Sequence, residues 1–179
     1  MQYLPVTTID NPYLPFIKDL YHDAFPQKER RDWKQLLSMI GPAGEMKVQV
    51  VTDQDKAIGL IIFWVFDDWC FIEHLAVDPS HRGMKYGERI MSSFTHKMKI
   101  LLEVEPPVSD DAIRRIRFYE KLGLCVLPLK YRQPSYRESG IFYEMELMSN
   151  HPENEMEQFE AVLSAVLQKV YRFTLRVTE

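Results

Sequence analysis

The residues best suited to chemistry lie in one stretch, Phe71-Ile72-Glu73-His74-Leu75-Ala76-Val77-Asp78-Pro79-Ser80-His81-Arg82-Gly83-Met84-Lys85-Tyr86-Gly87. A strand-forming run breaks at Asp78-Pro79, and two glycines with two cations follow where a helical pattern begins. A helix N-terminus presents unpaired N–H groups and about half a positive charge, which together suit a diphosphate. Glycine at 83 and 87 removes the Cβ that would hold an anion off the backbone, and Arg82 and Lys85 add local positive charge. A plain helix start would use the same residues without a ligand. Other chemistries have less support. The five histidines, His22, His74, His81, His96 and His151, show no H-E-x-x-H or paired spacing, so no metal is expected. Cys70 and Cys125 sit in apolar runs with no basic motif beside them and read as buried structural thiols.

The elements that must position this turn follow from hydrophobic period. Gln2–Ile9 has β-like character and closes at Asp10-Asn11-Pro12. Tyr13, Phe16, Ile17, Leu20, Tyr21 and Ala24 follow helical spacing up to Pro26, and Trp33, Leu36, Leu37 and Ile40 do so again before Gly41-Pro42. Met46–Thr52, Ala57–Phe66 and Phe71–Val77 read as strands, with a turn at Asp53–Lys56. A helix opening around Gly83–Gly87 carries Ile90, Met91, Phe94 and Met98 inward, its methionines filling core space. Ile100–Val104 is a short strand ended by Pro106-Pro107. Ser109 or Asp110 caps a helix that ends at Gly123. Cys125–Leu129 and Ile141–Met148 read as strands joined by a polar, tyrosine-rich loop, Lys130–Gly140. The order βααβββαβαββ predicts a mixed α/β sheet. Past Ser149-Asn150-His151-Pro152, residues Met156, Phe159, Leu163, Val166, Leu167, Val170 and Tyr171 form a long amphipathic helix. Its apolar face either packs on the domain's own sheet or makes a homodimer contact.

With 179 residues, 46% of them hydrophobic, the chain can bury a sizeable core as one domain, expected over residues 1–150 with a helical extension at 151–179. The 22 basic and 26 acidic residues give a net charge of −4, which disfavours a general nucleic-acid binder. No apolar run approaches the ~20 residues that span a bilayer. Residues Met1–Asp10 lack a basic, long-apolar leader pattern, so the expectation is a cytoplasmic protein with reduced thiols and no membrane partner.

The turn resembles the signature of the GCN5-related N-acetyltransferase (GNAT) family, Arg/Gln-x-x-Gly-x-Gly/Ala after a strand: Arg82 and Gly87 match the outer positions and Gly83 follows Arg82, while Lys85 replaces the middle glycine. Arg117-Phe118-Tyr119-Glu120-Lys121-Leu122-Gly123-Leu124 is close to the family's helix ending in Tyr-Glu-Lys-x-Gly-Phe. Phe25-Pro26-Gln27-Lys28-Glu29-Arg30-Arg31 and Ala57-Ile58-Gly59 are partial likenesses. The resemblance covers about residues 3–148, and the asparagine that often starts the second motif's helix aligns near Ala112.

The resemblance implies a mostly antiparallel sheet with a splayed parallel pair, Phe71–Val77 and Ile100–Val104, between which the pantetheine arm of acetyl-CoA lies as a surrogate strand. It places cofactor contacts at Leu75, Ala76, Val77, Arg82, Gly83, Met84, Lys85, Tyr86 and Gly87. The implied reaction moves an acetyl group directly to a primary amine of a small molecule or peptide. Glu73 is the expected base, with Glu103 and His74 as rivals, and strand alternation puts Glu73 and His74 on opposite faces. An ordinary ion pair is the other use of Glu73. Tyr119 is the expected acid for the leaving thiolate, or else a core aromatic between Ile116 and Leu122. Glu103, Arg132 and Tyr136 are expected at the acceptor, with Arg132 or Arg137 holding an acceptor carboxylate unless that loop is simply solvated. A non-catalytic acyl-CoA-binding regulatory module is the alternative, supported by Lys85 and the missing asparagine.

Overall fold

Residues 1–151 and 156–171 are described by the structure, a computed structural model. β1 (Gln2–Pro5) is followed by α1 (Leu14–Ala24) and α2 (Trp33–Met39), then by β2 (Met46–Asp53), β3 (Lys56–Phe66) and β4 (Trp69–Val77). α3 (Tyr86–Thr95), β5 (Lys99–Val104) and α4 (Asp110–Glu120) complete the middle of the chain. β6 (Cys125–Val126), β7 (Tyr131–Pro134), β8 (Phe142–Ser149) and α5 (Met156–Ala165) end it, with a π-helical continuation at Val166–Tyr171. The strands lie in the order β1-β2-β3-β4-β5-β8-β6, with β7 also on β8; every pairing is antiparallel except β4–β5.

Strand alternation divides the apolar residues between two faces. Leu60, Ile62, Trp64, Phe71 and Leu101 pack under α1, α2 and the C-terminal helix. Ile61, Phe63, Cys70, Ile72 and Leu102 pack under α3 and α4. The methionine of α3 expected as filler, Met91, is buried there. The C-terminal helix turns its apolar face onto the domain's own sheet: Phe159, Val162, Val166, Val170 and Tyr171 join the core of the first face. Other residues of the extension, 152–155 and 172–179, lie outside the described residues.

Two expectations are corrected. The strand begun at Cys125 is held to its neighbour as far as the Leu127 N–H, which donates to Leu147 O at 2.8 Å, and stops there because Pro128 has no N–H to continue a ladder. The expected loop Lys130–Gly140 begins with a strand, since Tyr131–Pro134 pairs Phe142–Met145 as a hairpin. Its alternating Tyr131, Arg132, Gln133 had the period of a strand, with one face buried and the other exposed.

Two features shape the middle of the sheet. Gly59 lies where β3 and β4 run closest: a Cβ there would sit 2.8 Å from the Ala76 carbonyl oxygen. Further along, Ile62 pairs His74 and Phe63 pairs Ile72, so Glu73 is an extra residue on β4, a β-bulge. A bulge bends its strand and re-aims side chains. Pairing of β4 with β5 runs from Trp69↔Lys99 to Ile72↔Leu102 and stops at the bulge. Beyond it the two parallel neighbours separate.

Candidate active site

A cavity of about 580 Å³ opens where β4 and β5 part, walled by Glu73–Val77, Leu102, Glu103 and Tyr119, with Phe25 and Tyr136 on one side and Arg82, Ser109 and Arg115 on the other. The Asp78 N–H donates to Ile58 O at 2.9 Å. Counting back by alternation, the N–H groups of Val77 and Leu75 point away from β3, into the gap, while Ala76 faces the core. These are edge donors that β5 has moved away from.

At one end of the gap lies the Arg82–Gly87 turn. Gly83 has φ +79° and Lys85 φ +60°, the left-handed region that favours glycine. A lysine there costs about 1 kcal/mol, yet it retains the backbone shape that a glycine would take. Lys85 is also the N-cap of α3, and no side chain caps that helix. Among the described residues, no backbone or side-chain acceptor takes the N–H groups of Gly83 to Gly87. A Cβ at Gly87 would meet the Phe118 ring at 3.5 Å and Val77 Cγ2 at 4.0 Å, both ordinary contacts, so the protein itself does not demand glycine there. Arg82, Met84 and Lys85 are exposed around it, and Tyr86 is tied away by its hydroxyl to Asp53 at 2.7 Å. These features fit the diphosphate of a coenzyme.

At the mouth of the gap, Glu73 and Glu103 each follow the last paired residues, Ile72 and Leu102. Both carboxylates face the α1, α2 and C-terminal side. Arg31 donates to Glu73 Oε1 from Nε at 2.9 Å and from its terminal nitrogen at 2.8 Å, and the Trp64 indole donates to Oε2 at 2.7 Å. Both partners of the ion pair are buried, Arg31 at 0% and Glu73 at 1% side-chain exposure. Burial alone would raise the Glu73 carboxyl, but the guanidinium and the hydrogen bonds outweigh it and hold the group below its ordinary value. The ion-pair reading of Glu73 is the one the geometry favours.

Glu103 accepts three bonds from uncharged donors instead: Tyr131 OH at 2.5 Å on Oε1, with Gln133 Nε2 and Tyr171 OH, each at 2.5 Å, on Oε2. Burial outweighs these three, with the Glu73 charge adding to it, and the carboxyl is pushed up to about 7. Two carboxylates in one mouth are therefore driven apart, one locked as an anion and one poised to exchange a proton near neutrality.

His74 contradicts the expected alternation. The bulge at Glu73 restores both side chains to one face, and the imidazole lies among Tyr21, Phe25 and Tyr136 at centroid distances of 5.0, 4.4 and 6.0 Å. Its Nε2 lies 3.1 Å from the Glu29 carbonyl oxygen, which fixes the proton on that nitrogen. Nδ1 is buried without a partner among the described residues, 3.9 Å from Glu73 Oε1. Burial holds the ring below its ordinary value and therefore neutral.

Tyr119 lines the cavity from α4, and burial raises its phenol. Tyr136 lines it too, with the Arg31 guanidinium 4.7 Å from its ring centroid. Arg132 is not brought in: it stands on the opposite face of β7 to Tyr131 and Gln133, over the Phe142 ring at 5.4 Å. Arg137 bonds the backbone carbonyls of Arg30 and Arg31 and clips the hairpin to the segment after α1. Sequence reasoning passed over Arg31, Tyr131, Gln133 and Tyr171. The β-period of 131–133 was the one signal that marked two of them.

A sequence profile of the acetyltransferase (GNAT) family matches residues 12–124. Over 153 residues the chain is 32% identical to YjbC of Bacillus subtilis strain 168, provisionally named an acetyltransferase; the match covers 76% of this chain and 78% of that protein. A GNAT-family structure from Bacteroides thetaiotaomicron, also provisionally named an acetyltransferase, superposes with a TM-score of 0.88 at 32% identity, covering 96% of this chain and 98% of that one. A Bacillus subtilis acetyltransferase in complex with CoA shares the fold at a TM-score of 0.55 and 13% identity, over 83% of this chain and 97% of that one.

Proposed function

The chain belongs to the GNAT family of acetyltransferases, and from that premise we propose that it moves an acetyl group from acetyl-CoA directly to a primary amine of a small molecule or peptide, with Glu103 as the base. The observation that carries this reading is the pair of carboxylates at the mouth of the β4–β5 gap, one paired with Arg31 and one held by uncharged donors alone, which leaves burial to push its carboxyl up to about 7. An alkylamine with a pKa of about 10.4 is neutral in only about one molecule in a few thousand at pH 7, a deficit of about 4–5 kcal/mol. A base that titrates near the working pH relieves that deficit best.

In this reading the Arg82–Gly87 turn and Lys85 hold the diphosphate, and the N–H groups of Leu75 and Val77 hold the pantetheine arm. Glu103 takes the ammonium proton, and the amine lone pair attacks the thioester carbonyl. A β4 amide steadies the oxyanion; the C–S bond breaks as Tyr119 protonates the departing thiolate, the proton that the nitrogen sheds on becoming an amide restores the Tyr119 phenol, and Glu103 releases its proton to solvent. The thiol needs little help, so Tyr119→Phe is expected to lower turnover by roughly a hundredfold. The test is thiol release from acetyl-CoA over a panel of primary amines, with wild type and Glu103→Gln. Turnover on at least one amine, lost by a hundredfold or more in Glu103→Gln, supports the reading. Stabilisation by acetyl-CoA with no turnover on any amine favours a binding module instead.

His74 supports a second assignment of the base, because its Nδ1 lone pair is the orphaned acceptor in this cluster. His74→Gln separates the two: a loss matching that of Glu103→Gln transfers the role to the imidazole.

A further inference from the structure

We infer that the C-terminal segment is a working part of this active site: Tyr171, carried in by the π-helical turn, is a positioning residue that holds the Glu103 carboxylate. The inference rests on the reading of Glu103 as the base. Two consecutive residues of the segment engage the carboxylate pair, Tyr171 directly at Glu103 and Val170 through Arg31, the partner of Glu73. The Tyr171 hydroxyl donates to Glu103 Oε2 at 2.5 Å and accepts from Gln133 Nε2 at 2.9 Å. The Val170 carbonyl accepts from Arg31, the partner of Glu73, at 3.0 Å. Tyr171 itself is 2% exposed, and its ring lies 5.2 Å from that of Tyr136.

The backbone explains how the tyrosine arrives there. Closure from residue i to i+5 brings Tyr171 back over Val166, whereas an α-helix would leave it about 140° around the axis. Val166, Val170 and Tyr171 are all buried as a result. Such widened turns are rare and are frequently found at functional sites. Here the change from α to π begins at the residue after Ala165, one turn before the contact it enables.

The titratable and charged groups around Glu103 are Tyr131 on β7, Tyr136 in the hairpin, Tyr171, and Glu73 with its paired Arg31. Tyr171 is a neutral donor to the anionic form, so its loss favours the protonated acid. The experiment follows the carboxyl carbon of Glu103 by NMR across pH in the full chain, for wild type and Tyr171→Phe. The Glu103 midpoint is expected to rise by about one pH unit in Tyr171→Phe. An unmoved midpoint overturns the inference, because a purely structural tyrosine would lower the melting temperature and leave the titration where it was. Should the phenylalanine variant not fold, 3-fluorotyrosine at position 171 alone keeps the shape and donates more strongly. The midpoint then falls, and an unmoved one again overturns the inference. A shifted midpoint together with full turnover in Glu103→Gln sinks the base reading and leaves the Tyr171–Glu103 coupling standing.

Discussion

Replacing Arg31 by methionine separates the structural use of Glu73 from a catalytic one. The guanidinium is 0% exposed and the carboxylate 1%, and the pair is joined by two bonds of 2.8 and 2.9 Å. In Arg31→Met the carboxylate keeps the hydrogen bond from the Trp64 indole and loses its guanidinium partner. Breaking a buried pair in this way destabilises by about 3–5 kcal/mol. In a chain of this size each kcal/mol is worth about 2–4 °C, so the melting temperature falls by about 10 °C. Glu73→Met, which removes the carboxylate from a buried guanidinium, is expected to cost as much. The double variant removes both charges and leaves the Trp64 N–H and the Val170 carbonyl short of a partner, at about 1–3 kcal/mol each. Against single losses that together come to about 6–10 kcal/mol, its loss of about 2–6 kcal/mol is smaller by about 4 kcal/mol at the middle of both ranges. Urea unfolding followed by tryptophan fluorescence measures all four proteins. The sign with pH is also determined. Without Arg31, burial raises the Glu73 carboxyl, so the deficit of Arg31→Met grows as pH rises from 5 to 8. Single losses under about 1 kcal/mol that simply add would mean a solvated Glu73, free to act as a base, and would refute the reasoning.

Three further outcomes are expected. Lys85→Gly relieves the left-handed φ of +60° and raises the stability of the free protein by about 0.5 kcal/mol, while removing a cation weakens acetyl-CoA by about two- to five-fold; melting curves and calorimetric titration read the two effects. Gly59→Ala brings a Cβ to 2.8 Å from the Ala76 backbone oxygen and costs about 1–3 kcal/mol by denaturant unfolding. Glu103 holds a proton in the folded state up to about pH 7 that the unfolded chain releases near its ordinary value of 4.5. Stability therefore falls with rising pH across that window, by up to about 3 kcal/mol, and Glu103→Gln removes that part of the slope.

What could be read from residues alone followed the physics of local signals. Helix α4 was legible at both ends, because Ser109 caps the Ala112 N–H and Gly123 takes φ +86°. The strands around the gap were legible from apolar runs, and the Arg82–Gly87 turn from two glycines and two cations. The bulge was not: one extra residue between Ile72 and His74 leaves no mark on composition, yet it moves His74 to the face of Glu73. Arg31 read like any charged residue in a basic stretch, since burial of a cation depends on a carboxylate 42 positions away. Tyr171 was legible as part of an apolar stripe. Its hydroxyl partner, Glu103, is 68 positions distant, and no periodicity reports that. Arg132 stands away from the cavity for the converse reason. A charge in a loop was assigned to the cavity before the register of β7 had set its direction.

The central claim is that the donors left unpaired where β4 leaves β5 receive the coenzyme. Amide hydrogen exchange, resolved to single residues with and without acetyl-CoA, tests it most directly. The account predicts slower exchange at Leu75 and Val77 together with the Gly83–Gly87 turn, and little change along the β3-facing amides. Tight binding of acetyl-CoA with Leu75, Val77 and the turn exchanging as in the free protein would contradict it.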